Sequence, residues 1–193
     1  QTKPWTFQIF LNAHNEIDSF SYTNMNDMEK IGSTDQVNVV VQWASMKGGD
    51  TKRLLVTKDN DTTKVTSVPI ETLSPVDMGS ADELVNFIKW GAEHFPADHY
   101  FVNVWDHGSG WHLKTRNNVG IRDISWDDRT GHSITTPQLA NAIKQASVAI
   151  NHKIDIYGSD ACLMGMVEIA QEMAPAIDYF VGSEETEPAY GWP

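Results

Sequence analysis

The run Val37-Asn38-Val39-Val40-Val41-Gln42-Trp43 constrains this chain more than any other stretch. So nearly continuous an apolar segment reads as a strand buried on both faces, and that calls for a mostly parallel sheet packed between helices. The surrounding segments agree. Thr6 to Leu11 reads as a first strand, closed by Asn12-Ala13-His14-Asn15. Glu16 to Ile31 carries Ile17, Phe20, Met25, Met28 and Ile31 at roughly helical spacing, with Gly32 as the stop. Ser80 and Glu83 have the spacing of a capping box. They open a helix that runs to about Phe95, with Leu84, Phe87, Ile88, Gly91 and Phe95 on one face, and Pro96 ends it. Tyr100 to Trp105 is the next strand. Thr135-Thr136-Pro137 starts a helix whose apolar face is Leu139, Ala142, Ile143, Ala146 and Ile150. Ile154 to Tyr157 reads as a strand, Leu163 to Met173 as a helix and Tyr179 to Ser183 as a last strand. The expected fold is α/β, with a mostly parallel central sheet flanked by helices on both faces.

Two stretches break the alternation. Arg53 to Thr57 and Lys64 to Ile70 read as a hairpin around Asp59-Asn60-Asp61. That aspartate pair lacks the glycine and terminal glutamate of an EF-hand, so it reads as a turn. Lys114 to Ser133 is polar and without periodicity. It reads as one long loop, a length usually tied to function.

Composition narrows the classes. The 193 residues suit one domain with a proper core. A formal charge of −12 disfavours nucleic acid and anionic membranes as partners. No apolar run reaches transmembrane length and no signal segment opens the chain. The start at Gln1 reads as processed or trimmed. The single cysteine, Cys162, excludes an internal disulfide.

In open parallel sheets ligands bind at the carboxyl ends of strands. Two strands here end in polar turns, Asp106-His107-Gly108-Ser109-Gly110 and Ser159-Asp160-Ala161-Cys162. Side by side, they would bring His107 to Cys162. A cysteine attacks as thiolate, and its ordinary pKa lies near ~8.5. The start of the expected helix at or just after Cys162 would favour the anion. A neighbouring imidazole takes the proton and returns it to the leaving amine. The N–H groups of Gly108 and Cys162 would form an oxyanion hole. The plainer readings are a packing cysteine and an ordinary histidine.

Trp105-Asp106-His107-Gly108-Ser109-Gly110-Trp111, together with Ser159-Asp160-Ala161-Cys162-Leu163-Met164-Gly165-Met166, closely resembles the clostripain family of cysteine peptidases, in the caspase-like fold group. Trp5 to Ala13, Val39 to Trp43, Phe95 to Tyr100 and Ser125-Trp126-Asp127-Asp128 follow the family's pattern in order. The resemblance implies one caspase-like domain over residues 1–193, incomplete at its C-terminus because family members continue past Pro193.

It implies an endopeptidase cleaving after arginine or lysine. His107 would be general acid/base and Cys162 the nucleophile of an acyl-enzyme. Asp160 would help form an acidic S1 pocket, though a turn-forming Asx residue is a serious competitor. Glu184 and Glu185 are further candidates for the pocket or its rim, with a solvated loop preferred for at least one of them. A zymogen cut in the loop after the histidine strand is implied. Lys114, Arg116, Arg122 and Arg129 are the candidate cleavage points. Trp111 and Trp126 would line the cleft or serve as core. His14 stands where the family more often has an acid.

No cofactor is read from the residues. The resemblance allows calcium, with no assignable ligands. It points to peptide or protein substrates with basic P1 residues, to association with the chain's own C-terminal fragment, and to a secreted, cell-surface or periplasmic location. Two other functions stay open: a silent caspase-like binding module with an acidic cleft, and a hydrolase of small amides or thioesters.

Overall fold

The structure, a computed structural model, describes residues 2–110, 114–116, 119–121 and 123–192. The chain runs β1 (Lys3–Ala13), α1 (Asp18–Ile31), β2 (Val37–Ser45), β3 (Thr51–Leu55), β4 (Pro69–Leu73), α2 (Ala81–His94), β5 (Ala97–Trp105), β6 (Lys114–Arg116), β7 (Val119–Ile121), β8 (Asp123–Asp127), β9 (His132–Thr135), α3 (Thr136–Ile150), β10 (Ile154–Asp160), α4 (Val167–Met173) and β11 (Ile177–Gly182).

Seven strands form one sheet in the order β11-β10-β5-β1-β2-β3-β4. The first five are mutually parallel. β3 and β4 extend the far edge in antiparallel fashion. Alternation along each inner strand sends side chains to two cores. Phe10, Val40, Val102, Val104 and Tyr157 pack against Leu84, Phe87 and Ile88 of α2, Leu139 and Ile143 of α3, and Ile169 of α4. Ile9, Leu11, Val41, Trp43 and Trp105 pack against Met25 of α1 on the opposite face. Each such fully buried side chain contributes about 1.5–3 kcal/mol. The expected α/β fold is therefore present, with helices on both faces.

Four local expectations are corrected. At α2 the N-cap Ser80 makes no side-chain capping bond. Glu83 turns away because Arg53 is buried and needs a counter-charge. Glu83 Oε1 accepts from Gln42 Nε2 at 3.0 Å and lies 3.4 Å from an Arg53 Nη. The capping box forms instead at α3, between Thr135 and Gln138.

The hairpin is real but shifted, with arms Thr51–Leu55 and Pro69–Leu73. Buried Glu29 pulls the intervening chain out of the ladder. Its Oε1 accepts from Ser67 N and Ser67 Oγ, both at 2.6 Å.

The expected loop Lys114–Ser133 holds two small antiparallel ladders, β6 with β7 and β8 with β9. In β8 the inward residues include Asp123, Ser125 and Asp127, all buried. A strand that buries polar groups has no apolar signature. It stands because distant groups satisfy those side chains: Ser125 Oγ donates to Met78 O at 2.8 Å, and Asp127 Oδ2 accepts from Met78 N at 2.9 Å.

The helix expected from Leu163 starts only at Val167. Leu163 adopts φ 59°, in the left-handed region, which non-glycine residues seldom enter. Its N–H donates to Glu185 O at 3.0 Å, and Gly165 N–H to Ser183 O at 2.7 Å. These bonds claim residues 163–165 for a turn. Cys162 is thus not at a helix start, and the helix terminus expected beside its sulfur lies further along the chain, at Val167.

Candidate active site

β5 and β10 are neighbours, with Trp105 and Asp160 as register partners at their carboxyl ends. Beyond these ends the His107 and Cys162 turns meet around a cleft of about 170 Å³. Ile17, Trp105, His107, Asp160, Cys162 and Glu187 are among its walls. The turns fit closely because two glycines lack side chains. A Cβ on Gly108 would come within 2.5 Å of Cys162 O and 2.9 Å of Ala161 Cβ. Gly110 has φ 59°, and a Cβ there would meet Leu163 O at 2.4 Å. Gly108 thus lies directly against the Ala161–Cys162 backbone.

The histidine turn rests on a buried polar floor. Asp106 accepts from Asn15 Nδ2 at 2.6 Å and Asn12 Nδ2 at 3.1 Å. Burial still pushes its carboxyl well above the usual range, against the pull of the His107 N–H, the Asn15 amide and the Trp126 N–H. The two asparagines also donate to Trp126 O, at 2.9 Å from Asn12 and 3.1 Å from Asn15. Trp126 therefore serves this floor through its backbone and is not among the residues lining the cleft. His107 Nε2 lies 3.1 Å from Glu16 Oε1, without the alignment of a hydrogen bond. His14 is fully buried, its Nδ1 2.8 Å from Asp127 Oδ2. Burial raises the Asp127 carboxyl, but the His14 and Met78 hydrogen bonds bring it below its ordinary value overall. This pair belongs to the β8 support rather than to the cleft wall.

Cys162 Sγ accepts from the backbone N–H of Glu187 at 3.3 Å. That segment turns back over the strand ends after β11. Trp192 N–H donates to both Asp160 oxygens at 3.2 Å, and Asn24 Nδ2 donates to Tyr190 O at 2.8 Å. Burial pushes Asp160 up to about 7; the Trp192 N–H opposes this, and Glu187 adds to it. Asp160 also borders a second groove of about 380 Å³ between α1 and the sheet, where Asn103 Oδ1 is buried and unpartnered.

The structure thus gathers His107, Gly108, Asp160 and Cys162. It does not gather Glu184 and Glu185, which are exposed and do not line the cleft. Glu187, which sequence reasoning missed, lines the cleft instead. The backbone bonds at Leu163 and Gly165 and the Trp192 indole bond to Glu187 hold this segment, and no local apolar pattern reports them. Lys114 and Arg116 lie on β6, and Arg129 on the β8–β9 turn, where a guanidinium nitrogen donates to Gly49 O at 3.1 Å. Arg122 and Trp111 lie outside the described residues. Among the described residues no three His, Cys, Asp or Glu side chains converge to hold a metal ion.

A model of the clostripain family matches residues 9–193. Clostripain from Hathewaya histolytica is 27% identical over 103 residues, which is 51% of this chain and 19% of that protein. Among solved structures, a secreted C11 cysteine protease from Bacteroides thetaiotaomicron in complex with an irreversible peptide inhibitor superposes with TM-score 0.74. It shares 25% identity over 98% of this chain and 51% of its own. An inactive zymogen C11 protease from Parabacteroides distasonis has the same fold, with TM-score 0.76 and 22% identity, over 100% of this chain and 52% of that one. The chain spans about half the length of these two structures.

Proposed function

The chain belongs to the clostripain family, and from that premise we propose that it carries the catalytic dyad of a cysteine endopeptidase cleaving after arginine or lysine. One observation carries the reading. His107 and Cys162 stand just past the ends of adjacent parallel strands and share one cleft with buried, acidic Asp160.

In the proposed reaction His107 removes the Cys162 proton and the thiolate attacks the scissile carbonyl. The C–N bond breaks as His107 returns that proton to the leaving amine, which leaves a thioester on Cys162. Water, deprotonated by His107, then cleaves the thioester and restores the thiol. The Gly108 turn, packed against the Cys162 backbone, is the proposed source of oxyanion donors. Asp160 receives the basic P1 side chain, because a carboxylate with few other partners favours a cation in a dry pocket.

Self-cleavage after Lys114, Arg116, Arg122 or Arg129 is proposed as the activating step. Export from the cell is proposed as well. It draws on a solved relative described as secreted; within this chain, no described helix is long and apolar enough to cross a membrane. Calcium dependence stays a proposal from resemblance alone.

The contact of the Glu187 backbone with Cys162 Sγ favours one second reading, a recognition cleft that binds basic peptides without turnover. Fluorogenic peptides with Arg, Lys or Leu at P1 separate the two. Turnover of the Arg and Lys peptides that vanishes in Cys162→Ala supports the peptidase. Binding without turnover, and no labelling of Cys162 by an Arg-directed thiol-reactive probe, would leave the silent module.

A further inference from the structure

The cleft beside Cys162 contains a second acid. Glu187 lines it together with Asp160. Its Oε1 accepts from the Trp192 indole N–H at 2.7 Å, which fixes the side chain. Its Oε2 is buried and has no hydrogen-bond partner. The two carboxyls are close enough that Glu187 bears on the ionisation of Asp160. Among the described residues, no Lys, Arg or His forms an ion pair with either.

Two adjacent, poorly hydrated carboxylates without a counter-charge oppose one another. A ligand that supplies the positive charge relieves this. A guanidinium does so best: it is planar, always charged, and presents five N–H donors in a fork that can serve two carboxylates at once. An ammonium has three donors around a point charge and cannot bridge two carboxylates in that planar fashion.

We propose that Glu187 is a specificity-determining residue of the S1 pocket, sharing a substrate guanidinium with Asp160 and so favouring arginine over lysine. This rests on the peptidase reading for the pocket's role, but the pocket itself is testable without turnover. The backbone and side chain of Glu187 then have separate tasks, the N–H at Sγ and the carboxylate at P1.

The experiment is calorimetric binding of agmatine, a dication with a guanidinium at one end and an ammonium at the other, and of 1,5-diaminopentane, a dication with an ammonium at both ends, to wild type, Glu187→Gln, Glu187→Asp and Asp160→Asn. Wild type should bind agmatine more tightly than 1,5-diaminopentane at pH 8. Glu187→Gln should bind agmatine at least about tenfold more weakly, since a hydrogen bond to a charged group is lost. Its preference over 1,5-diaminopentane should shrink, and Glu187→Asp should fall between. The loss of agmatine binding on acidification should move to lower pH in Glu187→Gln, because the charge that raises Asp160 is gone. A merely structural Glu187 would not move that profile. Agmatine binding in Glu187→Gln equal to wild type, a parallel loss of both ligands, or no agmatine binding by wild type would each overturn the proposal. Peptide cleavage run alongside keeps the two readings apart. Glu187-dependent agmatine binding without cleavage after arginine sinks only the peptidase; cleavage with an unchanged Arg-to-Lys ratio in Glu187→Gln sinks only this inference.

Discussion

The backbone N–H of Glu187 points at Cys162 Sγ from 3.3 Å, across the turn that separates Cys162 from α4. The helix N-terminus expected beside the sulfur is absent, and this amide of the segment after β11 donates to it instead. The turn is held open by the Leu163–Glu185 and Gly165–Ser183 bonds. These bonds tie the nucleophile's environment to the chain after β11.

Removing that one N–H should slow Cys162. Glu187→Pro lacks the donor, whereas Glu187→Ala keeps it. Alkylation of Cys162 by iodoacetamide at pH 7 is expected to fall about tenfold in the proline variant, the scale of a hydrogen bond to an anion. The alanine variant should react nearly as wild type. Equal rates in the two variants would show that the amide has no part in reactivity.

Asp160 must be ionised to hold a cation, yet burial and Glu187 hold it near 7. For substrates with Arg at P1, kcat/KM should therefore fall as pH drops below about 7. Asp160→Asn should lower Arg turnover by about 100-fold, an order set by losing a charge-assisted pair, and should leave Leu turnover little changed. Equal discrimination between Arg and Leu in the variant would return Asp160 to a turn-forming role.

The same shift has a stability consequence. A carboxyl whose pKa is raised on folding binds its proton more tightly in the folded chain. Its contribution is full below the unfolded pKa near 3.8 and is lost as pH rises through about 7. Asp160→Asn should therefore stabilise the fold at pH 8, on the order of 4 kcal/mol, and much less at pH 4. Urea melts at the two pH values measure this. A variant less stable than wild type at pH 8 would mean that the Trp192 contact outweighs the burial of charge.

Gly108 cannot gain a side chain without moving the cysteine turn. A Cβ 2.5 Å from Cys162 O forces one of the two backbones away. Gly108→Ala should lose at least about 100-fold in kcat, since displacements of an ångström cost that much, and should lower the melting temperature. Wild-type kcat in a folded Gly108→Ala protein would contradict the close packing of the two turns.

If the β6–β9 region is cut by the protein itself, intact mass should show two fragments for wild type and one for Cys162→Ala. Alanine at each of Lys114, Arg116, Arg122 and Arg129 in turn should identify the bond. A wild-type chain that stays whole while fully active would end the zymogen proposal.

The alternation of strands and helices was determined by the sequence itself, because periods of 2 and 3.6 residues report which faces leave water. So was the presence of two polar turns at strand ends, since His107 and Cys162 each follow a run of buried residues. The tertiary structure alone decided the rest. It set Glu83 on Arg53 rather than on Ser80, and made β8 a strand of buried aspartates and serine. It delayed α4 to Val167 and turned Glu187 inward in place of Glu184 and Glu185. Most of these follow from hydrogen bonds or charge pairs between groups about twenty or more residues apart, though Glu187 is also held by Trp192 nearby in the chain. Hydrophobic periodicity is local and records which residues are buried. It does not record which distant carbonyl, amide or carboxylate will satisfy a polar group once it is there.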